Sequence, residues 1–157
     1  MGLNRGAMPD TIERLKARLR EIGGERPVLV VGWSLGGVFA RELARVAPDE
    51  VRAVVTLGSP FSGDAHQNNV WRFYEWIAGH KVDDPPIPRV TAKPPVPHLA
   101  IWSRRDGLIA PRAARGLEDE RDKAIEMHCT HMAFGASARA GRQVAREIAR
   151  FIAETEA

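Results

Sequence analysis

The segment VLVVGWSLGGVFARELA, residues 28–44, constrains the fold more than any other part of the chain. Val28 to Val31 form a continuous β-branched and apolar run, the pattern of a strand buried on both faces. From Gly36 to Ala47 the apolar residues Val38, Phe39, Leu43 and Val46 recur at helical spacing, and Pro48 stops the pattern. The strand therefore becomes a helix across Gly32-Trp33-Ser34-Leu35-Gly36, a Gly-x-Ser-x-Gly sequence in the context of strand, sharp turn and helix. A turn this tight puts the serine at strained backbone angles. Side chains at the flanking glycine positions are expected to collide with the neighbouring strand and helix. The turn lifts the Ser34 hydroxyl clear of the sheet. It also aims the Leu35 amide at an oxygen that becomes negative during acyl transfer, and the helix start adds its positive dipole end.

The remaining segments extend this pattern. Asp10 to Glu13 reads as a capping box, followed by Ile12, Leu15, Leu19 and Ile22 on one helical face, with Gly23-Gly24 as the stop. Val51 to Leu57 is a second buried strand. Residues 60–97 read as a cap- or lid-like excursion within one domain spanning residues 1–157. The excursion holds VWRFYEWIAG and a stretch with six of the eleven prolines. Leu99 to Trp102 is a third strand. Pro111 to Gly116 is a short helix, and Lys123 to His128 is a last strand at the sheet edge. Val144, Ile148, Phe151 and Ile152 mark a closing amphipathic helix. Helix and strand at βαβ spacing imply an α/β fold of about four parallel strands with right-handed crossovers.

A serine hydroxyl needs a base to take its proton, and the base needs an orienting acid. Asp106 follows the third strand in SRRDGLIAP, whereas Asp64, Asp83 and Asp84 lie in the excursion. His131 lies a few residues past the last strand in HCTHMAFG. Its competitor His128 is expected to end that strand as a satisfied structural histidine. His66, His80 and His98 precede Asp106 and are in the wrong order.

Taken together, GWSLGG, TLGSPFSG after the next strand and the SRRDG acid loop resemble the α/β-hydrolase superfamily, closest to its bacterial lipase- and esterase-like members. The resemblance runs from Pro27 to the end. It implies Ser34 as nucleophile, Asp106 as acid, His131 as base, and ester or thioester hydrolysis without a cofactor. It also marks a departure: the strands that usually precede the nucleophile strand, and the His-Gly turn that supplies the second oxyanion amide, have no counterpart before Val28. An amide from Gly2 to Gly6, or from another chain, is the expected substitute. The Val28–Val31 strand is expected to be an open apolar edge, and so to drive homo-oligomer formation.

For the substrate, Trp33 is expected to pack beside the nucleophile and Phe61 to line an acyl pocket. Trp71, Phe73, Tyr74 and Trp76 are expected to form an aromatic cover over a small hydrophobic ester. Arg104 and Arg105 flank the acid loop as a solvated face or as a bias toward anionic substrates. The net charge of +3, with arginines scattered through helical patterns, points away from nucleic acid. The single cysteine, Cys129, excludes an internal disulfide and a thiolate zinc cluster. No apolar run reaches the length of a membrane span, and the N-terminus lacks a signal-peptide core, so the expected location is cytoplasmic. Two rivals to an ester hydrolase remain: a non-catalytic remnant serving as an oligomeric scaffold, and an acyltransferase with the same residues.

Overall fold

The computed structural model describes residues 10–63 and 90–156. In chain order the elements are α1 (Thr11–Gly23), β1 (Val28–Trp33), α2 (Leu35–Val46), β2 (Val51–Leu57), β3 (His98–Trp102), α3 (Pro111–Arg115), β4 (Lys123–Glu126), α4 (His131–Ala136) and α5 (Ala138–Thr155). The four strands are all parallel, in the order β1-β2-β3-β4. The central strands β2 and β3 are buried almost throughout, as their apolar runs require.

Alternate residues of the strands face opposite layers. Val28, Val30 and Val54 pack with Leu19 of α1 and with Ala40, Leu43 and Ala44 of α2. On the other face Ala53, Val55, Leu57, Leu99 and Ile101 pack with Phe134 of α4 and with Ala140, Val144 and Phe151 of α5. Helix α5 begins at Ser137, whose hydroxyl accepts the Ala140 amide at 3.3 Å. A smaller cluster joins Trp102 and Ala124 to Ile109, Ala113 and Ala114 around α3.

Several local expectations are corrected. Asp10 caps α1 without a side-chain hydrogen bond, because its backbone angles of −91° and 2° lie outside the extended region a capping side chain needs. Helix α2 starts one residue early, at Leu35. Strand β4 stops at Glu126, and His128 beyond it has a 75% exposed side chain, not a satisfied buried one. Among the described strands β1 lies at the sheet edge, in line with the expectation, with Val31 46% exposed.

Candidate active site

Because the strands are parallel, Ser34 after β1, Asp106 after β3 and His131 after β4 all emerge at the carboxyl end of one sheet. Ligand sites of open α/β sheets lie there. Ser34 has φ 55° and ψ −127°. Among the described non-glycine residues it alone has a positive φ. For a residue with a Cβ this conformation costs about 1–3 kcal/mol. The turn is anchored by the Ser34 amide donating to Leu57 O at 2.9 Å and by the Gly37 amide donating to Ser34 O at 3.1 Å. As the first residue of α2, Leu35 carries an amide with no intrahelical acceptor.

The glycines around the turn are not equivalent. A Cβ on Gly32 would lie 2.3 Å from Gly36 O and 2.4 Å from Gly37 Cα, so that position requires glycine. A Cβ on Gly36 would meet nothing within 4 Å among the described residues, against the expected collision there. The close approach belongs to Gly37, whose Cβ would lie 2.0 Å from Ser59 Oγ. Helix α2 therefore presses on the β2 end one residue later than the pattern suggests.

The acid and base are in direct contact. Asp106 Oδ2 and His131 Nδ1 are 2.9 Å apart, with both residues almost fully buried. The other carboxylate oxygen, Oδ1, accepts the amides of Leu108 at 3.0 Å and Ile109 at 2.6 Å. The Asp106 carbonyl in turn accepts the His131 amide at 2.9 Å. Two backbone donors hold the carboxylate, and the carboxylate holds the imidazole, so the ring orientation is set by backbone rather than by a mobile side chain. Ser103 extends the support, with its hydroxyl donating to Cys129 O at 2.7 Å and tying the loop after β3 to the loop after β4.

Sequence reasoning passed over Gly58, the residue after β2. It has φ +51°, and a Cβ there would lie 2.8 Å from Asp106 Oδ2, 3.1 Å from Phe134 Cε2 and 3.3 Å from His131 Nδ1. Its amide donates to Ile101 O at 2.9 Å. Because Ser34 is bonded to Leu57, the neighbouring residue, the end of β2 links the serine turn to the Asp–His pair. The only sign of this in the sequence is the glycine in TLGSP.

The aromatic candidates divide. Trp33 lies beside His131, with ring centroids 5.5 Å apart, and its indole closely covers Gly135. Phe61 packs against other side chains of the described residues. It is 1% exposed, its ring lies under the Arg41 guanidinium at 4.3 Å, and His98 meets it edge-on at 5.0 Å. Trp71, Phe73, Tyr74 and Trp76, together with the acids Asp64, Asp83 and Asp84 and the segment Gly2 to Gly6, lie outside the described residues.

Phe61 belongs to a second polar cluster, under α2. Arg41 donates to the carbonyls of Thr91, Ala92 and Glu120 and approaches His98 Nδ1 at 2.8 Å. Burial, with neighbouring Arg45, lowers the Arg41 pKa to about 10. Burial, followed by the Arg41 charge, lowers that of His98 to about 3, so this imidazole is neutral at ordinary pH and serves as a structural hydrogen-bonding group. Among the described residues no three histidine, cysteine or acidic side chains are grouped to hold a metal ion. No described helix is long and apolar enough to cross a membrane.

Three solved structures illustrate the likeness of the fold. BpoC from Mycobacterium tuberculosis H37Rv, provisionally described as a non-heme bromoperoxidase, is 16% identical with a TM-score of 0.69. The match covers 100% of this chain and 79% of that one. The monoacylglycerol lipase of Paleococcus ferrophilus is 14% identical with a TM-score of 0.64, over 96% of this chain and 77% of the lipase. Human thioesterase 2 is 11% identical with a TM-score of 0.62, over 93% of this chain and 82% of the thioesterase. No curated protein matches the sequence significantly. A sequence profile of the alpha/beta hydrolase fold matches residues 3–89, more than half of the chain, and with the parallel sheet and its serine turn this identifies the chain as a member of the α/β-hydrolase family.

Proposed function

We propose that the protein is a serine carboxylic ester hydrolase. The observation that carries the reading is the buried Asp106–His131 hydrogen bond at the same end of the sheet as the strained Ser34 turn. In this reading Ser34 Oγ attacks the ester carbonyl carbon while His131 takes the hydroxyl proton. The tetrahedral oxyanion is held by the Leu35 amide. On collapse, the bond to the leaving alkoxide breaks and His131 returns its proton to the alcohol. Water then attacks the acyl-enzyme, with His131 again as base, and releases the carboxylate. Asp106 keeps the proton on Nδ1, leaving Nε2 as the basic nitrogen, and stabilises the imidazolium that forms. The presence of a lipase and a thioesterase among the structurally similar proteins agrees with acyl chemistry.

The β1 edge, unpaired among the described strands, supports a second part of the proposal, a homo-oligomer in which this edge is covered by another copy. Light scattering at micromolar concentration tests it, and a stable monomer refutes it. The hydrolase reading is tested by turnover of p-nitrophenyl esters from acetate to long acyl chains, with wild type and Ser34→Ala compared. Turnover that vanishes with Ser34 is the expected result. Equal rates for the two proteins overturn the reading and favour a scaffold role. Acyl transfer to added alcohol in preference to water would reassign the protein as an acyltransferase.

A further inference from the structure

The residue after Gly58 carries a hydroxyl that the ester reaction does not use. Ser59 is fully buried, so it does not reach a substrate. Its Oγ lies 3.3 Å from each of two carbonyl oxygens, Gly32 O and Leu57 O. A hydroxyl has one proton to donate, so the two carbonyls share it. Both belong to the backbone around the serine turn. Gly32 lies two residues before Ser34 on β1. Leu57 ends β2, opposite Trp33 in the register, and its carbonyl also accepts the Ser34 amide at 2.9 Å. Ser59 is thus bonded to the strand that enters the turn and to the strand that anchors it.

The space for this hydroxyl is built into the helix above it. A Cβ on Gly37 of α2 would lie 2.6 Å from Ser59 Cβ and closer still to Oγ. The Ser59 side chain is therefore confined between α2 and the two carbonyls. Ser34 stands at φ 55°, a conformation that persists only while its surroundings enforce it. We propose that Ser59 is a positioning residue for ester hydrolysis: its hydroxyl ties β1 to the end of β2 and keeps the Ser34 turn in the strained form. The kinetic consequence rests on the hydrolase reading, whereas the hold on the turn does not.

Ser59→Ala removes only the oxygen. With p-nitrophenyl acetate it is expected to lower kcat by about tenfold or more and to leave KM within about twofold, the pattern of a group that acts on the reacting serine rather than on binding. Ser137→Ala, which removes the cap of α5, is expected to lower the thermal midpoint at unchanged kcat. A second readout needs no turnover: the effect of Ser59→Ala on the urea midpoint, compared in the natural chain and in Ser34→Gly. In the natural chain a loosened turn releases strain at Ser34, which offsets part of the lost bond. Ser34→Gly has no such strain to release, so the fall in midpoint is expected to be larger there, by about half again or more. Wild-type kcat in Ser59→Ala, a loss carried by KM, or an equal loss of kcat in Ser137→Ala overturns the proposal. So does an equal midpoint shift in the two backgrounds. Equal ester turnover by wild type and Ser34→Ala is a different failure. It removes the hydrolase reading, and the urea comparison then decides alone whether Ser59 holds the turn.

Discussion

Gly58→Ala is the substitution that most directly tests how the candidate site is held. The new methyl carbon would be placed 2.8 Å from Asp106 Oδ2, 3.1 Å from Phe134 Cε2 and 3.3 Å from His131 Nδ1. A residue with a Cβ at positive φ costs roughly 1–2 kcal/mol, and overpacking a well-filled interior costs about 1–3 kcal/mol more. The sum of about 2–5 kcal/mol corresponds to a fall in Tm of roughly 5–15 °C for a domain of this size. Asp106 has little room to retreat, because Leu108 and Ile109 hold its other oxygen. The carboxylate and imidazole must therefore shift together by a few tenths of an ångström. A misplacement on that scale lowers ester turnover by about 10- to 100-fold. The matched control is Gly36→Ala, where the methyl meets nothing within 4 Å among the described residues. That change in the first turn of α2 is expected to stabilise by about 0.5–1 kcal/mol through reduced backbone freedom in the unfolded chain. Thermal unfolding and p-nitrophenyl acetate hydrolysis, measured on both variants, decide the matter. Wild-type Tm and rate in Gly58→Ala, or a larger loss in Gly36→Ala, would refute the assignment of the tight contact to the end of β2.

Other expectations follow from the same geometry. Ser34→Gly removes the strain of φ 55° and is expected to raise stability by about 1 kcal/mol while abolishing ester hydrolysis, read by calorimetry and turnover together. Asp106→Asn keeps the shape of the pair but favours the wrong imidazole tautomer, and is expected to lower kcat by about 10³–10⁴-fold with little change in Tm. Arg41→Met strands the carbonyls of Thr91, Ala92 and Glu120, and is expected to destabilise by about 3–5 kcal/mol in urea unfolding, more than any surface arginine. Because the His98 pKa falls from 6.5 to about 3 on folding, the unfolded chain binds the extra proton between those values, and stability declines as pH drops through that window. His98→Gln is expected to flatten this acid slope, and an unchanged slope would assign the acid sensitivity to other groups.

Much of the architecture is legible in residue patterns because short-range physics sets it. The β-branched runs at Val28–Val31 and Val51–Leu57 and the helical spacing in 36–47 specify element type. Parallel βα connectivity then places the ends of β1, β3 and β4 at one edge, so chain order brings Ser34 and Asp106 to it together with both His128 and His131, and only the structure shows which histidine meets the acid. Contacts between segments distant in the chain leave no such periodic trace. Nothing in the sequence around Phe61 distinguishes an aromatic facing substrate from one packed beneath Arg41, or reveals that His98 and Arg41 meet across 57 residues. The weight on Gly37 and Gly58 rather than Gly36 depends on close approaches of 2.0 Å and 2.8 Å, against nothing within 4 Å among the described residues, made by segments distant in the chain. Local sequence thus determined the elements and their order, while three-dimensional packing decided which side chains meet, because close contact depends on shape and distance rather than on spacing along the chain.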